Sequence, residues 1–337
     1  MSVQQLVSQV GAFTSATKDA INANFSTVFG GLLQVGNVYF CKPDTTVPVS
    51  SQTGGQSAPD STLLAAYNRC LAGNNDVVVL VGNGATSATA RVDASFTWSK
   101  NATHLLGIAS PVLMSQRARI APTGTTTAFT PFFTISGNGC VFQNIQWFYG
   151  FDTGTTSALG VVLTGSRNYF KNCHIAGMGD AASAQSAGSR SLKIGSAGSG
   201  ENLFEDCTIG IDTVARTAAN ASLELAGATP RNTFRRCLFP FMTSSATVIG
   251  ILGTGAGCVD RTNLFESCTF ENAIKSTSTT MTALLQFTNA SPGGMVVFKD
   301  CAMVGVTKFG DTNGLANSFL DMAAPSNSAG GLMVAPT

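Results

Sequence analysis

The stretch NYFKNCHI at residues 168–175 recurs along the chain and decides the fold. Its pattern is Phe-x-x-Cys-x-apolar, and later copies are NLFEDCTI at 202–209, NTFRRCLF at 232–239, NLFESCTF at 263–270 and VVFKDCAM at 296–303. An earlier copy, VFQNIQW at 141–147, has isoleucine in place of cysteine. Successive Phe residues lie 28, 34, 30, 31 and 33 residues apart, so each copy marks one structural repeat.

A second element accompanies each copy, an apolar-x-apolar triplet followed by a turn rich in Gly, Ser, Asn and Pro. The seven triplets run from Phe133–Ile135 to Leu320–Met322. Alternating apolar positions indicate strands, and two or three short strands per repeat form one coil of a solenoid. The sequence therefore predicts an all-β fold, a right-handed single-stranded parallel β-helix of about seven or eight coils. A two-sheet β-sandwich is the alternative, and the aligned copies argue against it.

Stacking of the coils places like residues above like, so the repeat predicts two inward columns. These structural columns comprise Phe170, Cys173, Phe204, Cys207, Phe234, Cys237, Phe265, Cys268, Phe298 and Cys301. Cysteine suits such a column because it is small and apolar and stacks at the ~4.8 Å spacing of strands. An asparagine two residues before the Phe, in four copies, suits a turn because its amide bonds to the backbone. The four are Asn168, Asn202, Asn232 and Asn263.

The chain divides into four regions along the predicted β-helix, which we call the rod. Residues 1–34 are predicted to be an N-terminal helical assembly arm, and residues 35–60 a linker. Residues 61–130 are expected to contain a capping helix, started by Asp60 or Ser61 and ended by Gly73 and Asn74, and the first coils. Residues 131–337 form the β-helix body. In the arm, a 4-3-4 spacing of apolar residues predicts a helical seam for a subunit or capsid interface, although a helix folded back on the rod is an open alternative. The seam residues are Ile21, Phe25, Val28 and Leu32.

The composition excludes several classes of protein. With 337 residues, 11% of them charged, and a formal net charge of +1, the chain lacks the basic field of a nucleic-acid-binding protein. No apolar run reaches the ~18–20 residues that span a bilayer, and no secretory signal is evident. The nine cysteines include no CxxC pair, and only His104 and His174 accompany them, so we expect reduced, buried thiols and no metal or cofactor.

Catalysis of glycoside hydrolysis would need two carboxylates about 5–9.5 Å apart. The candidates are Glu201, Glu205, Asp206, Asp212 and Glu224. At the positions between Phe and Cys, however, charges of both signs alternate from repeat to repeat. This alternation predicts a solvated turn face of stacked ion pairs. No catalytic residue is therefore assigned, and the protein is predicted not to be an enzyme.

The histidines and tryptophans are also interpreted structurally. His174 alternates with inward Cys173 and Ile175, so it is predicted to be an exposed surface residue, and His104 to be structural. Trp147 is predicted to point into the core. The run from Trp147 to Phe151 is expected to form a subunit contact.

The segment AINANFSTVFGGLLQVGNVYF at residues 20–40 resembles the Asn-Ala-Asn-Phe openings of tailed-bacteriophage appendage proteins. Residues 61–130 resemble the entry of pectate-lyase-like β-helix proteins. Together these features resemble a β-helical phage virion protein. The resemblance implies a structural head decoration or cement protein that binds the major capsid protein in a virion assembled in the host cytoplasm. Such proteins are often homotrimers, so a homotrimer is expected here. The alternative that it implies is a tail fibre or tailspike-like receptor-binding appendage that contacts tail proteins and host glycan, and binds or degrades that glycan.

Overall fold

A computed structural model describes residues 36–124, 129–150, 158–195, 198–272 and 279–322. The strands form the three faces of a solenoid, and each face is a sheet of parallel strands. The first face contains β1 (Val38–Cys41), β2 (Asp76–Val81), β5 (Thr103–Ile108), β8 (Val141–Gln143), β11 (Tyr169–Lys171), β14 (Leu203–Glu205), β17 (Thr233–Arg235), β20 (Thr262–Glu266), β23 (Met295–Val304) and β25 (Ser318–Met322).

The second face contains β3 (Ala90–Val92), β6 (Arg119–Pro122), β9 (Gln146–Phe148), β12 (His174–Ala176), β15 (Thr208–Ile209), β18 (Leu238–Phe241) and β21 (Thr269–Asn272). The third face contains β4 (Phe96–Trp98), β7 (Phe133–Ile135), β10 (Leu159–Leu163), β13 (Arg190–Gly195), β16 (Ala221–Ala226), β19 (Ile249–Thr254), β22 (Met281–Phe287) and β24 (Val306–Gly310). Three short helices are α1 (Leu63–Arg69), α2 (Ala181–Ala184) and α3 (Thr312–Ala316).

The chain visits the three faces in the same order from β2 to β22, which makes seven complete turns. Every pairing between named strands is parallel, and each strand pairs with its equivalents one coil away, as β11 does with β8 and β14. The predicted right-handed parallel β-helix is thereby confirmed.

The predicted Phe column is confirmed on the inward side of the first face. The rings of Phe142, Phe170, Phe204, Phe234, Phe265 and Phe298 are stacked in coil order, all with zero exposed surface. The closest pair, Phe170 and Phe204, has ring centroids 4.4 Å apart and an angle of 5° between planes. This spacing follows from the strand separation, because residues in register inherit the distance between coils.

The predicted Cys column is also confirmed, and each of its thiols has a specific partner. Cys207 Sγ donates to the carbonyl oxygen of Phe170 at 3.4 Å, and Cys237 repeats the contact with Phe204. Each thiol therefore bonds to the coil before its own. Burial raises the pKa of Cys173 and Cys237. Such thiols stay protonated and unreactive while the coil is closed.

The four repeated asparagines form a third, buried column at the corner between the third and first faces. Asn202 Oδ1 accepts the backbone N–H of Asn168 at 2.9 Å, and Asn263 Oδ1 accepts that of Asn232 at 2.9 Å. The side-chain Nδ2 atoms donate to carbonyl oxygens of turns in preceding coils, such as Gly165 O. The asparagines thus satisfy backbone groups that the turn leaves without strand partners.

The N-terminal end differs from the predicted linker. Residues 35–60 include β1, which pairs in parallel with β2, so the solenoid starts before residue 61. Gly54 O accepts the N–H of Phe40 at 2.7 Å, and Asp60 O accepts that of Lys42 at 2.8 Å. This segment covers the outer edge of β1, which would otherwise be open to another strand.

The predicted capping helix exists, but its first turn is set by a different residue. Thr62 is the N-cap of α1, and its side chain accepts the N–H of Ala65. Asp60, one of the predicted caps, is instead buried and paired with Arg69 at 2.8 Å. The helix also ends at Arg69, ahead of the predicted Gly73 and Asn74, because Cys70 has extended backbone geometry.

The triplet Leu320–Met322 lies in β25, which pairs with β23 on the first face. It therefore continues the Phe column and is not one of the triplets that accompany the repeated motif. The arm at residues 1–34, with the proposed interface residues Ile21, Phe25, Val28 and Leu32, lies outside the described residues. Its role stays a prediction.

Candidate functional site

A row of charged side chains follows the corner where the first face turns into the second. The register places Lys171, Glu205, Arg235, Glu266 and Lys299 on successive strands. Arg235 Nε lies 2.8 Å from Glu266 Oε2, and Lys171 Nζ lies 3.0 Å from Glu205 Oε2. The predicted stack of alternating charges is therefore present, which is the favourable cross-strand arrangement.

Glu205 is the most heavily bonded carboxylate of this corner. It accepts the Tyr169 hydroxyl at 2.6 Å and Arg236 Nη2 at 2.8 Å, in addition to its contact with Lys171. These hydrogen bonds, that from Tyr169 foremost, lower the pKa of Glu205 to about 2. The pKa of Asp206 is lowered as well, chiefly by Arg236. Both carboxylates are ionised at neutral pH, so they can accept hydrogen bonds or stabilise cations but hold no proton to donate.

A groove of about 430 Å³ opens beside this corner. It is lined by Gly107, Ala109, Pro111, Gln143, Asn144, Lys171, Asn172 and Asp206. Asn144 Nδ2 donates to Gly107 O at 3.0 Å and to Ala109 O at 2.9 Å. Asn172 Nδ2 in turn donates to Asn144 Oδ1 at 3.0 Å. The amides are held in place by these bonds, so the groove presents a fixed polar floor.

One wall of the groove belongs to residues 109–117, which we call the strap because they cross several coils. Leu113 O accepts the Thr208 hydroxyl at 2.8 Å, although 95 residues separate the two. Gln116 Nε2 donates to Asn172 O at 2.8 Å, and Ser115 N donates to His174 Nδ1 at 3.0 Å. Asn172 and His174 belong to one coil and Thr208 to the next, so these bonds tie the strap to two coils. The strap contains neither helix nor strand, so these bonds hold it in place and position Pro111 in the groove.

His174 is not the exposed residue that the repeat predicts. Its side chain points away from the core, as expected, but the strap lies over it and leaves 1% of the residue exposed. Its Nε2 donates to Gly210 O at 2.9 Å, while Nδ1 accepts from Ser115. Burial lowers the pKa of His174 to about 4, so the ring is neutral at physiological pH. His104, in contrast, is structural as predicted, since its Nδ1 accepts the N–H of Val141 at 3.0 Å.

The other candidate carboxylates lie away from the groove. Glu201 is at the opposite corner of the first face, between Arg167 and Arg231. Glu224 is on the third face, buried, and paired with Arg190 at 2.7 Å. Of the five carboxylates singled out from the sequence, Asp206 lines the groove and Glu205 precedes it in the chain. Asp212 is not among the lining residues.

Aromatic side chains do not line this groove. Trp147 is 1% exposed and lies in the core, as predicted, in edge contact with Phe142 and Phe133. Tyr149 is buried as well, and Phe151 lies outside the described residues. The subunit contact proposed for residues 147–151 therefore stays a prediction, with Phe148 as its half-buried member.

The described ranges contain neither a metal-site cluster nor a membrane-spanning helix. No cluster of three or more His, Cys, Asp or Glu side chains there has the arrangement of a metal site. Within the same part of the chain, every helix is too short or too polar to cross a membrane.

Comparison with known proteins identifies structures of the same fold but no sequence family. No protein-family model matches the sequence, and no curated protein matches it. Among solved structures, pectate lyase Pel9A has a TM-score of 0.55 at 15% identity, covering 84% of this chain and 67% of the lyase. Pectin methylesterase PemA from Erwinia chrysanthemi has a TM-score of 0.52 at 15% identity, covering 89% and 92%. Pectin methylesterase from Aspergillus niger has a TM-score of 0.53 at 12% identity, covering 85% and 88%.

These neighbours contradict the prediction that the protein is not an enzyme, because the three structures named above are a pectate lyase and two pectin methylesterases. The prediction failed because the absence of a familiar motif in one sequence does not exclude a catalytic surface. The low identity shows the fold alone and transfers no catalytic residue. A Geobacillus virus E2 protein, ORF18, also aligns, at a TM-score of 0.37 that supports no argument.

Proposed function

We propose that this protein binds a polysaccharide in the groove beside the Lys171–Asp206 corner. The observation that carries the proposal is the groove itself, about 430 Å³ in volume and long enough to contact strands of several coils. Its wall is the strap and its floor is the rigid first face. A rigid scaffold with a loop along one side is the usual construction of a binding site.

The chemistry of the lining suits sugar hydroxyls. Gln143 is exposed, and Asn172 and Asp206 offer amide and carboxylate groups at the same edge. Hydroxyls both donate and accept, so a lining that mixes amides, a carboxylate and an ammonium can match them. The ion pair between Lys171 and Asp206 keeps both groups fixed before any ligand arrives. Such preorganisation lowers the cost of ordering side chains on binding.

The fold of the neighbours supports the same class of ligand. Pectin methylesterases and pectate lyase act on a polysaccharide, and one methylesterase structure is a complex with a hexasaccharide. A solenoid suits a polymeric ligand because its coils repeat along the rod as sugar units repeat along a chain. In this protein Asp206, the carboxylate that lines the groove, would serve as a hydrogen-bond acceptor for sugar hydroxyls.

The setting that we propose is the virion of a tailed bacteriophage, as the sequence resemblance of residues 20–40 implies. A glycan-binding receptor appendage, assembled as a homotrimer, agrees best with the groove. Head decoration, with the major capsid protein as partner, is the second candidate, favoured by the low charge of the chain. Localisation of the protein on virions by electron microscopy distinguishes the two, since an appendage is found at the tail and a decoration protein on the head lattice.

Binding is tested with the full chain and a panel of polysaccharides, measured by calorimetry. Lys171→Gln should weaken binding about tenfold, because it removes a charged group from the groove and one of the two cations that hold Asp206 in place. Lys299→Gln is the matched control, since Lys299 belongs to the same row but pairs with Glu266 away from the groove. Equal affinities of the two variants would contradict the proposed site.

The same mixtures are assayed for new reducing ends, unsaturated products and released methanol. Product formation that Lys171→Gln abolishes would extend the proposal from binding to catalysis in the groove. Product formation that persists in this variant would place the chemistry elsewhere on the molecule.

A further inference from the structure

A cluster of three arginines lies on the outer side of the second face, next to the strap. Arg91 is in β3 and pairs in register with Ala121 of β6, and Arg119 is two residues before Ala121, so both side chains point outward. Arg117 ends the strap and is exposed. Arg91 Nη1 donates to Pro122 O at 2.9 Å. Within the described ranges, no carboxylate lies within 4.0 Å of any of the three guanidinium groups.

The orientation of Arg119 is fixed by a chain of hydrogen bonds with one consistent assignment. His174 Nε2 donates to a backbone carbonyl, so its Nδ1 is an acceptor. Gln146 must then donate to Nδ1 through its Nε2, at 3.0 Å. This leaves Gln146 Oε1 to accept Arg119 Nε at 2.5 Å. The buried histidine therefore orients the guanidinium through Gln146.

The ring of Phe148 supports the same guanidinium, with Arg119 Cζ 5.4 Å from the ring centroid. Gly150 and Gly179 leave room for this ring, since a Cβ on Gly150 would lie 2.6 Å from it. Arg119 Nη1 and Nη2 have no hydrogen-bond partner in the part of the chain that the structure describes. Burial, and then the charges of Arg117 and Arg91, lower the pKa of Arg119. Three positive charges held close together are costly unless an anion compensates them.

We propose that Arg91, Arg117 and Arg119 form a binding site for an oxyanion, a carboxylate, sulfate or phosphate group. The planar fork of Arg119 matches two oxygens of such a group, and the other two arginines, close enough to lower the pKa of Arg119, add positive charge. The oxyanion is carried by an acidic glycan or is a free inorganic anion. This site lies on another face from the polysaccharide groove, and its argument does not rest on the proposed function.

The test uses calorimetry of the full chain with three probes, inorganic sulfate, a sulfated hexasaccharide and uncharged maltohexaose. Both sulfated probes should bind, with affinity that falls as salt is raised, and maltohexaose should not bind at these arginines. Tighter binding of the hexasaccharide than of inorganic sulfate identifies a glycan as the source. Equal binding per site identifies the small anion.

Two variants and a control locate the site. Arg119→Lys keeps the charge but removes the fork, and should weaken sulfate binding about tenfold. Arg91→Gln with Arg117→Gln should weaken it by a similar factor. Lys42→Gln with Lys308→Gln removes the same charge from two lysines without ion-pair partners among the described residues, and should leave affinity unchanged. Thermal unfolding of each variant shows that it is folded.

Two results would overturn the proposal. One is wild-type sulfate affinity in Arg119→Lys, because the fork would then have no role. The other is an equal loss of affinity in the lysine control, because the attraction would then belong to net charge and not to a site.

Discussion

The stacked columns of the core and the strap over the second face depend on contacts of different reach. Phe204 meets Phe170 and Phe234 because the same motif returns about every thirty residues, and Asn202 meets its own equivalents in the same way. The strap meets His174 and Thr208 through contacts that occur once, 59 and 95 residues away in the chain. A repeat therefore specifies its interior, whereas the surface that carries the groove depends on single, long-range contacts.

The largest expected effect is in the Phe column. Phe204→Ala removes a ring stacked on both sides and should lower the free energy of unfolding by ~3–5 kcal/mol, because the neighbouring coils cannot close the cavity. Urea unfolding under reducing conditions measures it. Leu203→Ala, on the outward side of the same strand, is the control and should cost ~1 kcal/mol. Similar losses in both variants would show that the column is not the main source of stability.

The second prediction concerns pH and the strap. Unfolding restores the pKa of His174 from about 4 to 6.5, so between these values the unfolded chain binds a proton that the folded chain does not. The stability contributed by neutral His174 is complete above pH 6.5 and is lost as pH falls towards 4. Over this window the wild type should lose ~3 kcal/mol more than His174→Gln.

Amide hydrogen exchange locates that loss. The protection of backbone amides, measured against their intrinsic exchange rate at each pH, should be lower at pH 4 than at pH 7 for residues 109–117 but not for residues of the Phe column. A uniform loss of protection along the rod would mean that the strap and the columns open together, which would contradict the distinction between them.

A smaller effect is expected in the asparagine column. Asn202→Leu leaves the N–H of Asn168 and the carbonyl of Gly165 without partners in a buried corner, and should cost ~2 kcal/mol. Asn289→Leu, in an exposed turn, is the matched control and should cost less than ~0.5 kcal/mol. If both substitutions proved neutral in chemical denaturation, the buried corner would need another explanation.

The smallest effect is expected in the charged row. Glu205→Gln removes interactions with Tyr169, Lys171 and Arg236 at a solvated corner, and should change stability by only ~0.5 kcal/mol, less at high salt. Thermal unfolding at low and high salt measures it. A large, salt-independent loss would show that this corner behaves like the core.

The sequence predicts the parts of the molecule that repeat. The three faces, the Phe and Cys columns and the stacking of Glu205 under Arg235 follow from period and alternation, because register in a solenoid copies sequence spacing into space. The burial of His174 and the position of Pro111 in the groove could not be predicted, because they depend on where residues 109–117 cross the coils. The arginine cluster was missed for the same reason, since Arg91 and Arg119 are brought together by coil stacking outside the repeated motif.

The asparagine column also limits how the rod can change in length. The side-chain oxygens of Asn202, Asn232 and Asn263 each accept the N–H of the equivalent Asn one coil before, so the column tolerates gain or loss of a whole coil but not of a fraction of one. A duplicated segment of about thirty residues would insert with every hydrogen bond of the corner intact. A single inserted residue at the corner would separate two coils. The length of such a protein is therefore quantised, in steps of one coil or ~4.8 Å.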